Sequence, residues 1–130
     1  MPQSSFLRLA AILGAFSVVL GAFAAHGLKA RLESDMLAIY QTGVQYQMYH
    51  SLGMLAIAAS GAPLWSSRLT RAACWAWCVG IVLFSGSLYA LALTGVRWLG
   101  AITPFGGIAF ILGWILIALA ARSLAAAKGA

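Results

Sequence analysis

His50 follows Tyr46 and Gln47 at spacings of four and three residues, so on a helix the three side chains share one face. An imidazole that titrates near neutrality can relay protons or bind a metal, and an amide and a phenol beside it would line the way in. A second uncharged patch, Ser85, Gly86 and Ser87 followed by Tyr89, lies further along. His50, Gln47, Tyr46, Ser85 and Ser87 are therefore the candidate polar core or pathway. A proton relay or metal site is the sharper reading of His50. The plainer one, a neutral ring hydrogen-bonded so as to hold its helix against the third apolar stretch, fits better, because an ionised side chain at membrane depth is costly.

Other chemistry finds little to stand on. Neither histidine has a cysteine or carboxylate at a familiar ligand spacing, and no phosphate-cradling glycine loop is present. A nucleophile built from His50 with Ser85 or Ser87 would lack an acidic orienter. Cys74 and Cys78 stand one helical turn apart, where a bridge would distort the helix, so both are expected as free thiols. No catalytic residue, metal site or cofactor is expected, and the chain reads as no enzyme.

These polar residues need a scaffold, and composition says in what solvent. Hydrophobic residues make up 63% of the 130-residue chain and charged residues only 8%, far from the soluble norm of about 45–50% and about 25%. Long stretches lack Asp, Glu, Lys and Arg altogether, and each meets the roughly 17–25 residues a spanning helix needs. Spans are expected over 6–26, 36–60, 71–93 and 99–121. The expected fold is an all-α integral membrane protein, one domain with four transmembrane helices in an antiparallel bundle. The net charge of +6 is scattered over span ends, where basic side chains meet lipid headgroups, and predicts no nucleic-acid binding.

The span ends carry recognisable signals. His26, as a cap or interface anchor, and Gly27, in a left-handed conformation, should close the first helix. Glu33, Ser34 and Asp35 suit the start of the second, near Met36. Gly61 to Arg68 reads as a loop, and Trp65, Trp75 and Trp77 fit an interfacial aromatic belt. Thr103 before Pro104 is a helix-start signature, the alternative being a helix from Trp98 kinked at the proline.

Faces follow from spacing. Gly14, Ser17, Gly21 and Ala25 form a narrow small-residue stripe on the first span, and Gly106, Gly113 and Ala120 form another on the fourth. The second span has two polar sides: Gly43, Tyr46, Gln47, His50 and Met54 on one, Gln41, Gln45 and Met48 opposite. Amides all round place this helix amid partners on both sides, from its own chain or a second copy. Gly14, Gly21, Gln41, Gln45, Gly106 and Gly113 are thus the expected helix-contact residues. Basic residues favour the amino-terminal end, second loop and tail (Arg8, Arg68, Arg71, Arg122, Lys128) over the other loops (Lys29, Arg31, Arg97), which places both termini in the cytoplasm.

Several blocks together resemble a known family. They are Gly21 to Leu28, Val44 to His50, Phe84 to Tyr89, Leu99 to Gly107, and Gly113 with Trp114. In combination they are similar to domain-of-unknown-function family 423, which includes the vertebrate transmembrane protein 256. The resemblance covers nearly all of the chain. It implies a small four-span membrane protein and no particular activity. Without a leader rich in Arg and Ser, a bacterial inner (plasma) membrane is the expected home. The expected role is structural or accessory, with the lipid bilayer and either a second copy or another membrane protein as partners. The alternative is a channel or carrier for a small neutral solute along a path near His50; a proton-coupled cation exporter would want a carboxylate within a span.

Overall fold

The computed structural model describes residues 1–129, with side chains through Ala126; Lys128, one of the basic residues of the tail, lies outside the described side chains. Among the described residues every regular element is helical. Helix α1 (Gln3–Phe23) runs on through a π turn at Ala24–Leu28, and α2 (Ser34–Ala59) follows a short link. A single turn, α3 (Ala62–Trp65), precedes α4 (Arg68–Gly80), which continues through a second π turn at Ile81–Ser85 into α5 (Gly86–Thr94). After a 3₁₀ turn at Arg97–Ala101 comes α6 (Thr103–Gly129).

The four rods are antiparallel neighbours in sequence order. Gln3 reaches the carbonyl of Ala58, Tyr40 packs on Tyr89, and Trp77 reaches the carbonyl of Phe110. The large interfaces are α1 with α2, α2 with the α4–α5 rod, and that rod with α6. Helix α2 therefore sits between α1 and the α4–α5 rod, with Gln47, His50 and Ser51 turned inward and Gln41 and Gln45 left exposed. Two apolar layers bracket it. Phe6, Met54, Trp65, Trp77 and Phe110 fill one end, while Ala24, Leu28, Tyr40 and Ala92 fill the other.

Three rods are long and apolar enough to cross a membrane, Gln3–Leu28, Arg68–Thr94 and Arg97–Ala126. Helix α2 has the length, at 26 residues, but its glutamines, tyrosines, His50 and Ser51 dilute its apolar character.

Several boundaries differ from expectation for identifiable reasons. Gly27 does not close α1 in a left-handed conformation: Lys29 N–H reaches back to the carbonyl of Ala24 at 3.1 Å, widening the last turn into a π turn. His26 stands exposed on that turn. The left-handed glycines are Gly61 (φ 86°), before α3, and Gly95 (φ 72°), which ends α5 while its N–H bonds the carbonyl of Leu91. Helix α4 starts before Arg71 because the Ser67 hydroxyl accepts from the Leu69 N–H at 3.2 Å. Helix α2 starts at Ser34, and Glu33 precedes it without a side-chain capping bond.

The aromatic belt also needs correction. Trp75 is half exposed, but Trp77 is 0% exposed and Trp65 is buried. Both belong to the apolar layer around Phe6. Cys74 and Cys78 are free, as expected.

Candidate functional site

Gln47 is the hub of a polar layer between the two apolar ones. Its amide N–H donates to the Leu13 carbonyl on α1 at 2.9 Å, and its carbonyl oxygen accepts from the Tyr89 phenol on α5 at 2.9 Å. One side chain thus ties three rods together. Ser51, one turn along, returns its hydroxyl to the Gln47 backbone carbonyl at 2.6 Å. All three groups would be costly in hydrocarbon without these partners.

His50 recruits the fourth rod. Its Nδ1 lies 2.7 Å from the Tyr46 carbonyl. A carbonyl only accepts, so Nδ1 carries the proton and Nε2 keeps its lone pair. That lone pair accepts from the Trp114 indole N–H on α6 at 3.1 Å. Both ring nitrogens are therefore occupied and the ring is neutral. Phe110 lies flat on it, with centroids 3.5 Å apart and planes 6° off parallel, and Trp77 meets it edge-on at 6.0 Å.

The α4–α5 rod joins α6 through two further bonds. Ser87 pairs with the Thr103 hydroxyl at 2.7 Å, and the Trp77 indole N–H donates to the Phe110 carbonyl at 3.3 Å. Gly106 and Gly113 allow this approach. A Cβ on Gly106 would collide with the Phe84 backbone nitrogen, and one on Gly113 with the Trp77 indole.

Not every expected partner is the one found. His50 is hydrogen-bonded and stacked on α6, and meets the third rod only through the Trp77 ring edge, because Trp114 and Phe110 project one turn apart from α6. Of the patch Ser85 to Tyr89, only the Tyr89 side chain hydrogen-bonds α2, while the Ser85 carbonyl packs against Gly43. Ser87 donates to the Phe84 carbonyl and turns to α6. The Ser85 hydroxyl, wholly buried, has no partner among the described residues. Tyr46 is 39% exposed and stacks on Phe84 at 4.6 Å, outside the bonded layer. Gly14 faces Ser51, and Gly21 faces Val44, across the α1–α2 seam. Gln41 and Gln45 lie exposed on the outer side of α2.

Sequence reasoning missed Phe110, Trp114, Thr103 and the Leu13 carbonyl. A signal existed for two of them: Thr103, Gly106, Phe110, Gly113, Ile117 and Ala120 alternate at three and four residues, the spacing of one packed helix face. A backbone carbonyl leaves no such trace.

The family described as Protein of unknown function (DUF423) matches residues 20–107, from the end of α1 to the start of α6. The chain belongs to this family. A UPF0382 membrane protein of Bacillus subtilis, YwdK, is 48% identical over 116 residues, covering 89% of this chain and 94% of the relative. One from Haemophilus influenzae is 46% identical over 116 residues, covering 89% and 92%. One from Staphylococcus epidermidis is 45% identical over 120 residues, covering 92% and 97%. No solved structure matches the chain. The apolar rods and these relatives agree: this is a multi-pass helical membrane protein of a family without assigned function.

Proposed function

We propose that the chain is a structural or accessory membrane protein and not an enzyme, crossing the bacterial inner (plasma) membrane four times with both termini in the cytoplasm. The observation that supports this best is the occupancy of His50. With Nδ1 bonded within α2 and Nε2 bonded to α6, the ring has no free nitrogen for a proton path or a metal. Gln47 is likewise used on both ends of its amide. The inner polar side of α2 is a clasp between rods.

The outer side of α2 supplies the partner surface. Gln41 and Gln45, one turn apart and exposed, carry amides that hydrocarbon cannot satisfy and that another helix can. A glutamine donates and accepts, so the same stripe on a second copy satisfies it. A partner there also explains how α2, the least apolar rod, crosses as a fourth span. The bacterial relatives named membrane proteins support the location, and the bias of basic residues supports the orientation.

Native mass measurement in detergent, with chemical crosslinking in membranes, tests the reading. Replacing Gln41 and Gln45 by Leu is expected to dissociate the assembly, and an unchanged mass counts against it. The second reading, a path for a small neutral solute near His50, is favoured by the open groove beside that residue. It demands that His50 release Trp114. Liposomes holding the purified protein would then pass a neutral solute, and His50→Ala would change the flux.

A further inference from the structure

Helices α2 and α6 do not share one of the large interfaces. They meet through His50, Phe110 and Trp114, and beside these contacts a groove of about 580 Å³ lies open. That volume is within the roughly 300–1,000 Å³ typical of small-molecule sites. Its lining includes Tyr46, Tyr49, Phe84, Gly107, Phe110 and Trp114.

The groove is a product of special local structure. Phe84 belongs to the π turn at Ile81–Ser85, and its backbone seats against Gly106, where no side chain could fit. The next residue, Gly107, leaves space: a Cβ there would touch only the Phe84 ring, at 3.9 Å. Tyr46, Phe84, His50 and Phe110 pack on one another, with Phe84 and Phe110 centroids 5.4 Å apart, so one wall of the groove is a continuous aromatic surface.

Two polar atoms in this lining need a partner. Neither the Tyr46 nor the Tyr49 hydroxyl has a hydrogen-bond partner among the described residues, and both side chains are exposed. They stand about 18–22 Å along a helix roughly 39 Å long, at 1.5 Å per residue. In a hydrocarbon core about 30 Å thick, lipid ester oxygens lie about 15 Å from the middle. An acyl chain therefore brings these phenols nothing that accepts a hydrogen bond. No charged side chain lines the groove either, so an ionic headgroup has no counterpart.

We propose that this groove binds a neutral, membrane-dissolved molecule whose flat conjugated ring carries carbonyl oxygens, the chemistry of a quinone headgroup. The ring stacks among the aromatic walls, Tyr46 and Tyr49 donate to its carbonyls, and an apolar tail leaves past Ile111 into the bilayer. The proposal concerns binding alone; it rests on α2 crossing the membrane, as proposed above, and not on which partner covers Gln41 and Gln45.

The full chain in phosphatidylcholine nanodiscs, photolabelled with an azido-benzoquinone bearing a short alkyl tail, tests it by peptide mapping. Label is expected within residues 46–50 and 107–114, and excess unlabelled decyl-benzoquinone should reduce it at least tenfold. Gly107→Leu, which fills the groove, should abolish it, and the Tyr46→Phe/Tyr49→Phe pair should weaken half-maximal competition about tenfold. Near-ultraviolet circular dichroism checks that each variant folds. Should Gly107→Leu fail that check, Tyr49→Phe, isosteric and on the surface, decides the matter. Label that quinone does not compete, or that the folded variants leave unchanged, overturns the proposal. So does equal labelling by a phospholipid with its azide at the chain end, which would make the groove a plain acyl-chain slot, and so does a second copy covering the groove.

Discussion

The seam between α1 and α2 and the seam between the α4–α5 rod and α6 are both signalled by small residues, yet they are held differently. Across the first, an added Cβ on Gly14 would stand 4.0 Å from Ser51 and one on Gly21 3.4 Å from Val44, ordinary contact. That seam is closed by amides: Gln47 bonds the Leu13 carbonyl and Gln3 the Ala58 carbonyl at 2.7 Å. Across the second, Gly80, Gly106 and Gly113 admit the Phe110 ring, the Phe84 backbone and the Trp77 indole, each where a Cβ would overlap. In a solvent as apolar as the side chains themselves, rods join either by hydrogen bonds or by close backbone approach. The first seam relies on hydrogen bonds, the second adds close approach to its own two bonds, and small residues alone do not say which.

The sharpest way to break the comparison is to fill the tight seam. Gly106→Val places branched carbons against the Phe84 backbone, which cannot rotate away, and should cost more than about 4 kcal/mol, enough to leave little folded protein. Gly113→Ala should follow closely, because the Trp77 indole is wholly buried and bonded to the Phe110 carbonyl. Unfolding by mixed-micelle titration, followed by tryptophan fluorescence, measures both. Survival of either variant at wild-type stability would show that the rods separate more easily than the packing implies.

The hydrogen-bonded seam should respond less. Gln47→Leu removes bonds to α1 and α5 and strands the Tyr89 hydroxyl, for about 1–3 kcal/mol. Adding Tyr89→Phe should restore part of that loss, since it removes the stranded group; a strictly additive pair of effects would contradict the bond between them. Trp114→Phe keeps a ring on α6 but takes the indole N–H from His50, at about 1 kcal/mol. Nitrogen NMR on the histidine should still find the proton on Nδ1, because the Tyr46 carbonyl remains its partner.

The rods were legible in the sequence because charge is absent over span-length stretches, and α2's central place because its polar residues need neighbours on more than one side. Which neighbour each residue finds was not. An amide at Gln47 bonds any carbonyl in reach, and Leu13 is marked by nothing in its side chain. The π turns at Ala24–Leu28 and Ile81–Ser85 were equally hidden, since each is one extra residue in an apolar run and changes register without changing composition. Tryptophan misled for a related reason. Trp77 and Trp75 suit both a headgroup belt and a buried donor, and only packing against Gly113 separates them. The seven-residue spacing on α6 did point to its packed face, and extending it through Phe110 would have led to the ring stacked on His50, though not to Trp114, its hydrogen-bond donor.

The smallest expected effect is the most specific test of the contrast. Gly14→Ala adds one methyl in the α1–α2 seam, where the nearest atom outside α1 is already at van der Waals distance and nothing has to move. The helix itself gains slightly, because alanine has the better helix propensity. Stability should therefore change by no more than about 0.5 kcal/mol, in either direction. The same substitution at Gly113, in the other seam, should be severe. If the two alanines cost alike in one titration, the seams differ only in appearance, and amides are not what holds α1 in place.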